Sequence, residues 1–320
     1  MTLSFPSGRS PIDPPMNGGG MDDRKVGERS TLGFIGLGRL GAPIARNLIA
    51  DGYRVIGFDQ SSQALADLAR SGGREAKSAA EVGRSSAVVF TCVRTEDDLT
   101  AVLTGPDGLL AGLPPGSAVL DLSTMAPDAS AKHAQTIEAA GSEFLRVAVS
   151  GSAPAAAARQ ISFLCSGPHP LYERVTPLLD ALGRGHVHVG KSDEARSVKI
   201  AVNMLVGVGM AAMVEAVTLA DGLGIDRRQF LEAVEQSAVG SPFVSAKVSA
   251  LADRDYTPTA SLALMLKDLD LALAAGGGIE QQLPVTELAR NLYARCHDRG
   301  WAERDFACLA ELYDSPAELP

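Results

Sequence analysis

An α/β half built on a parallel sheet, followed by an all-helical half, is what this sequence predicts, and three observations carry that reading. From Thr31 onward, short apolar runs alternate with amphipathic stretches, as strands and the helices covering them require. After Val189 the strand signals stop. Long helical patterns then fill the chain to about residue 298.

Taken in order, the apolar run at 32–35 reads as the first strand and 42–50 as the helix behind it. The second strand falls at 54–58 and its helix at 62–70. Further runs at 87–92, 118–122, 144–149 and 161–165 read as strands, with helices at 127–139 and 171–182. The second half is expected to hold helices at roughly 194–222, 227–236, 242–251, 261–275 and 285–298. A boundary near Lys191 follows, giving domains at 31–191 and 192–320. Residues 1–30 carry Pro6, Pro11, Pro14, Pro15 and the run Gly18-Gly19-Gly20 with little apolar content. Such a segment cannot offset its ordering entropy and is expected to be disordered, with Met16 and Met21 as alternative starts.

Composition narrows the function classes. Aromatics make up 5% of the chain while glycines number 33, which favours tight helix–strand packing. A formal charge of −9 without a basic stripe argues against a nucleic-acid partner. Cys92, Cys165, Cys296 and Cys308 lack any zinc-site spacing and read as reduced thiols of a cytoplasmic protein. The first thirty residues hold no apolar signal region. The stretch at 201–220 is apolar, but Asn203 and Glu215 interrupt it, so it reads as a buried core helix and no membrane partner is expected.

Gly36-Leu37-Gly38-Arg39-Leu40-Gly41 sits where a strand turns into a helix. In a Rossmann-type fold the first glycine permits the tight turn and the second lets the backbone approach a pyrophosphate. The third allows close helix–sheet packing, and the helix N-terminus faces the phosphates. The second strand ends at Asp59, where an acid would accept the adenine ribose hydroxyls. It would also repel a 2′-phosphate, and Gln60 and Ser61 add no arginine, so NAD is expected over NADP. Arg39 reads either as a phosphate contact or as a solvated side chain.

Four blocks in order resemble the β-hydroxyacid dehydrogenase family, which includes 3-hydroxyisobutyrate dehydrogenase and tartronate semialdehyde reductase. They are Gly33-Phe34-Ile35-Gly36-Leu37-Gly38-Arg39-Leu40-Gly41 running on to Arg46-Asn47-Leu48; Asp121-Leu122-Ser123-Thr124-Met125-Ala126-Pro127; Val149-Ser150-Gly151; and Lys199 with Asn203, followed by Lys267-Asp268-Leu269. The resemblance implies Lys199 as the catalytic acid/base and Asn203 as a substrate contact. Lying four apart, the two share one helix face. It implies Ser150, Gly151 and Ser152 as substrate contacts, and Val93, Thr124 and Lys267 as cofactor contacts beside the glycine block and Asp59. Thr124 could equally cap the helix before Pro127, and Lys267-Asp268 alone would read as a solvated face.

The chain also departs from the family. Arg146-Val147-Ala148-Val149-Ser150-Gly151-Ser152 stands where Asp-Ala-Pro-Val-Ser-Gly-Gly is usual, which sets a reversed charge beside the expected substrate pocket. Arg159 replaces a glycine, and Asp193-Glu194-Ala195-Arg196 replaces a Gly-x-Gly loop. These changes read as a changed substrate with catalysis kept. The resulting expectation is hydride transfer between a nicotinamide cofactor and a short 3-hydroxy acid or its semialdehyde. The alternatives are an imine reductase of the same fold, against which Lys199 speaks, and a cofactor-binding protein without turnover. His186 and His188 are expected to share a strand face in a structural role without a metal, Trp301 and Asp305 to pack and cap, and the helical half to pair subunits as a homodimer or larger homo-oligomer.

Overall fold

The computed structural model describes residues 31–314; the tail expected over 1–30 lies outside the described residues. The chain begins with β1 (Thr31–Ile35), α1 (Gly41–Ala50), β2 (Arg54–Phe58), α2 (Ser62–Arg70), β3 (Arg74–Glu75), α3 (Ala79–Ser85), β4 (Val88–Thr91) and α4 (Glu96–Thr104). It continues through β5 (Ala118–Asp121), α5 (Pro127–Ala139), β6 (Glu143–Ser150), α6 (Ala153–Ala157), β7 (Ser162–Ser166), α7 (His169–Leu182) and β8 (Gly185–Gly190). The eight strands form one sheet in the order β3-β2-β1-β4-β5-β6-β7-β8.

Sequence reading missed β3, α3, α4 and α6. β3 is two exposed residues with no apolar signal, and α4 opens on Glu96, Asp97 and Asp98, which hide its two core positions, Leu99 and Leu103. The sheet is parallel as expected except at β7, which runs antiparallel to β6. Only residues 151–161 join them, with the single short α6 inside, and a parallel crossover needs a longer return.

Both faces of the central strands are dry. Leu32, Phe34, Phe90, Leu120 and Val147 bury under α1 and α7, with the Phe34 and Phe90 rings stacked at 5.6 Å. Ile35, Ile56, Val89, Val119 and Phe144 bury on the other face against α3, α4 and α5.

The helical half consists of α8 (Glu194–Gly222), α9 (Arg227–Gln236), α10 (Pro242–Asp253), α11 (Leu262–Gly278) and α12 (Pro284–Asp298), closed by a 3-10 turn at Phe306–Leu312. At 29 residues α8 is about 43 Å long. Its first turns pack on β6, β7 and β8, and its later turns, through Met210, Val214 and Val217, enter a core with Leu269, Leu292 and Tyr293. A single rigid rod therefore belongs to both halves. Gly207 lets α11 approach closely, since an added Cβ would lie 2.8 Å from Met265 Sδ, and Tyr293 Oη donates to the Gly207 carbonyl at 3.0 Å. Asp305 caps the 3-10 turn through Ala307 N–H. It also holds the buried Lys247 ammonium with both oxygens, at 2.6 and 2.8 Å.

Candidate active site

The loops leaving β1, β2, β4, β5 and β6 meet at the carboxyl edge of the sheet, where open α/β sheets bind ligands. Gly36 has φ +93°, and an added Cβ would lie 2.2 Å from the Cys92 carbonyl oxygen, so only glycine makes this turn. At Gly41 a Cβ would lie 2.0 Å from the Gly36 oxygen, which is how α1 starts hard against the turn. At Gly38 nothing lies within 4 Å, which leaves room for a phosphate against bare backbone. Leu40, at the start of α1, makes no side-chain cap, so the helix N-terminus is left for a ligand. Asp59 accepts Leu37 N–H at 2.6 Å and Ser61 N–H at 2.8 Å, fixing its carboxylate beside the glycine turn. Leu37, Gly38, Arg46, Asp59 and Ser61 line a cavity of about 280 Å³ there. These residues fit a dinucleotide. Arg39 turns the other way and donates to the Pro258 carbonyl at 2.8 Å, linking the glycine turn to the helical half.

Next along the edge lies a buried carboxylate. Asp121, at the end of β5, accepts Thr91 Oγ1 and Ser123 Oγ, each at 2.7 Å, and Ser123 Oγ in turn accepts Val93 N–H at 3.0 Å. Thr124 follows, half-buried. It is not the helix cap, because α5 starts after Ala126 with no side-chain cap, and that alternative falls. Arg196, in the first turn of α8, is 1% exposed and pairs with the Asp121 carboxylate; its Nη1 donates to the Ser123 carbonyl at 2.6 Å.

Lys199 lies three residues beyond Arg196, about 4.5 Å further along the helix axis. It is half-buried, and loss of water lowers the pKa of its ammonium below the ordinary lysine value, against the opposing pull of Asp268 on α11. Asp268 is 6% exposed. Burial raises its pKa, opposed by the Lys199 charge, the Asn203 hydrogen bond and the Lys267 charge. Asn203 Nδ2 donates to Asp268 Oδ2 at 2.6 Å, while Asp268 Oδ1 has no hydrogen-bond partner. Lys199, Asn203 and Asp268 thus form one polar group between α8 and α11. Sequence reasoning missed Asp268, although it sits in the quoted Lys267-Asp268-Leu269 block. Lys267 itself is exposed and lines a surface groove with Asp270 and His297; no contact brings it to the glycine turn.

Gly151 turns the chain out of β6 with φ +140°, and Ser152 Oγ caps α6, accepting Ala155 N–H at 3.5 Å. The half-buried Ser150 ends the strand. Beneath it the expected charge reversal is absent from the pocket. Arg146 is 4% exposed and makes a two-pronged pair with Asp193, at 2.8 and 3.1 Å. Two of the unusual residues therefore neutralise each other. Arg159 sits in the left-handed conformation that favours glycine, at φ +59°. It is held there by a two-pronged pair with Asp51 and bonds to the Asn47 and Ala181 carbonyls.

His186 and His188 do share a face of β8, where each ring meets Tyr172 of α7. His186 lies between Tyr172 Oη at 2.6 Å and Asp180 at 3.1 Å, and His188 Nε2 donates to the Gly167 carbonyl at 3.0 Å. Cys92, half-buried beside the glycine turn, has its thiol pushed up to about 12 by burial and then by Asp121, so it is a poor nucleophile. Gly38→Val is expected to fold normally, because the side chain enters open space, yet to lose NADH binding. A melting curve together with a nucleotide fluorescence titration checks both; unchanged binding would remove Gly38 from the phosphate site.

A family model for the NAD binding domain of 6-phosphogluconate dehydrogenase matches residues 31–190. One described as NAD-binding of NADP-dependent 3-hydroxyisobutyrate dehydrogenase matches 194–313. The chain is 32% identical to an NAD-dependent L-serine dehydrogenase of Pseudomonas aeruginosa, over 88% of this chain and 97% of the relative. It is 33% identical to a 3-hydroxyisobutyrate dehydrogenase of the same organism, over 88% and 98%. A solved 3-hydroxyisobutyrate dehydrogenase of Mycobacterium tuberculosis with L-serine superposes with a TM-score of 0.79 at 28% identity, covering 88% of this chain and 98% of that one. The chain belongs to the β-hydroxyacid dehydrogenase family and is an NAD(P)-dependent hydroxyacid dehydrogenase.

Proposed function

We propose that Lys199 is the acid/base of this dehydrogenase, acting on the hydroxyl of a short 3-hydroxy acid or on the carbonyl of its semialdehyde. The observation that carries this reading is a desolvated lysine amine set against Asp268 and Asn203 at the root of α8. A bound nicotinamide supplies the hydride acceptor or donor. In oxidation Lys199 Nζ, as the free amine, takes the proton of the substrate hydroxyl. In reduction its ammonium returns that proton to the carbonyl oxygen. Asn203 donates one amide N–H to Asp268 and keeps the other to donate to the substrate oxygen. Ser150, Gly151 and Ser152 hold the acid group at the end of β6. The L-serine and 3-hydroxyisobutyrate in the relatives' names are both short 3-hydroxy acids, which supports this substrate class.

On the cofactor side the glycine block from Gly36 to Gly41 takes the pyrophosphate, Asp59 the adenosine ribose, and Val93 and Thr124 the nicotinamide end. Lys267 joins them only if its side chain leaves the groove it lines. Asp59 favours NAD over NADP, because a carboxylate at the ribose repels a 2′-phosphate. Arg46 on the rim of the same cavity is the opposing feature.

The partner is a second copy of the chain. Ala201, Leu205, Ala212 and Leu219 of α8 and its C-cap Leu223 lie within 40°, about 33 Å from end to end. The three leucines are 65%, 65% and 68% exposed, an apolar stripe that a monomer would leave in water. α8 is also long and apolar enough to cross a membrane, but Arg196 and Lys199 in its first turns and its packing on both halves favour the dimer. Free thiols at all four cysteines suit the reducing cytoplasm.

Lys199→Ala is expected to bind NADH with nearly unchanged affinity while turnover falls by roughly 100-fold or more; substantial residual turnover would remove Lys199 from the chemistry. Because oxidation needs the free amine, its rate rises as pH climbs through the Lys199 pKa, and burial moves that rise below the ordinary lysine range. Asp268→Asn removes the charge that favours the ammonium, so the rise moves to still lower pH. A pH profile of kcat/KM with no movement, or movement upward, would refute the pairing. Rates with NADH should exceed those with NADPH by roughly tenfold, and a preference for NADPH would overturn the role of Asp59. Leu219→Arg should lower the mass measured by light scattering from dimer to monomer; an unchanged mass would place the interface elsewhere.

A further inference from the structure

Two buried arginines, Arg146 and Arg196, stand at the root of α8, and proton and hydride transfer use neither. Every assigned donor of Arg196 points into the sheet half. Nη1 donates to the Ser123 carbonyl at 2.6 Å. Nη2 donates to the Asp121 carbonyl at 3.3 Å and to its carboxylate, and Nε to Ser130 Oγ at 3.3 Å. All of these acceptors lie between residues 121 and 130, the segment that carries Thr124. Through Asp121 and Ser123 the same network reaches Thr91 and the Val93 N–H. The Arg146–Asp193 pair adds a second tie, from β6 four residues before Ser150 to the residue just ahead of α8. The root of α8 is therefore referenced at once to the loops after β4 and β5 and to the end of β6. These are the segments assigned to the nicotinamide and to the substrate.

We propose that Arg196 is a positioning residue of the dehydrogenase reaction: it clamps the first turn of α8 to the β5–α5 loop and thereby sets where Lys199, one turn on, stands relative to the nicotinamide. The proposal rests on the reading of Lys199 as acid/base. Geometry favours a guanidinium in this place. Its planar fork serves carbonyl, carboxylate and hydroxyl acceptors in fixed directions, which a lysine ammonium does not. Beyond the two ties, the charge acting on Lys199 is Asp268 of α11, which Asn203 of α8 holds by a hydrogen bond. The charged and titratable groups around Arg196 are Asp121, Asp193, Arg146 and His133 of α5. A slack first turn would let the amine drift with α11, and a displacement of about 1 Å can cost roughly 100-fold in rate.

The test compares Arg196→Lys with the double variant Arg196→Met/Asp121→Asn, which removes both buried charges together. Melting temperature, NADH affinity by fluorescence, kcat, KM and the primary deuterium isotope effect on kcat are measured with a 3-hydroxy acid that the wild type oxidises. The double variant is expected to fold and to bind NADH within about threefold of wild type. Its kcat should fall roughly 10- to 100-fold with little change in KM, and the isotope effect should rise as hydride transfer becomes limiting. Arg196→Lys should recover part of kcat. A folded double variant with unchanged kcat and isotope effect would overturn the proposal, and so would loss of NADH binding in step with activity. Should the double variant fail to fold, unchanged kcat in Arg196→Lys overturns it equally. Failure of the underlying reading looks different: wild-type rates would then survive Lys199→Ala.

Discussion

The buried pair of Arg196 and Asp121 is the constraint on which the working geometry of this enzyme depends. Both groups are almost fully out of water, so each needs the other and every available hydrogen bond to offset its desolvation. Leaving either unpartnered would cost about 3–5 kcal/mol, a large share of a typical domain's stability. The pair is also well placed. Asp121 ends a central strand, Arg196 begins the one helix shared by both halves, and the carbonyls between them belong to a loop at the cofactor edge. A hydrogen-bonded helical rod of about 43 Å is thereby anchored where it leaves the sheet half.

The unusual residues of the substrate side make sense as compensated sets. Arg146 departs from the family's usual acid and Asp193 opens the stretch that stands in place of its Gly-x-Gly loop, and the two meet in a buried fork. Either change alone would strand a charge in the interior. Arg159 occupies a left-handed position that costs an L-residue about 1–2 kcal/mol, and its bonds to Asp51, Asn47 and Ala181 hold it there. Because the Arg146 charge is buried and paired, it adds no free charge near Ser150.

The group proposed to carry the proton transfer is built in the opposite manner. Lys199, Asn203 and Asp268 come from two helices whose close approach depends on Gly207 and on the Leu269 and Tyr293 core. The Asp268 carboxylate is buried with one oxygen satisfied and the other free, which keeps a counter-charge next to the amine without a tight ion pair. Burial pulls the lysine toward its neutral form, and the carboxylate opposes that pull. The balance leaves the amine easier to deprotonate than a surface lysine, which is the property the proposed role needs.

Strand and helix periodicity, the glycine turn with Asp59, and the spacing of Lys199 and Asn203 could all be read from the residues, because each is a local pattern whose period or backbone demand shows in a short window. Expected helices at 62–70, 127–139, 194–222 and 227–236 coincide with α2, α5, α8 and α9 for that reason. The tertiary structure alone decided the rest. It ran β7 antiparallel, paired Arg146 with Asp193 across 47 residues, brought Arg196 to Asp121 across 75, and set Asp268 opposite Asn203 across 65. A charged residue looks the same in sequence whether it faces water or a counter-ion. Only the folded chain, by removing the water, determines which of them must find a partner and where.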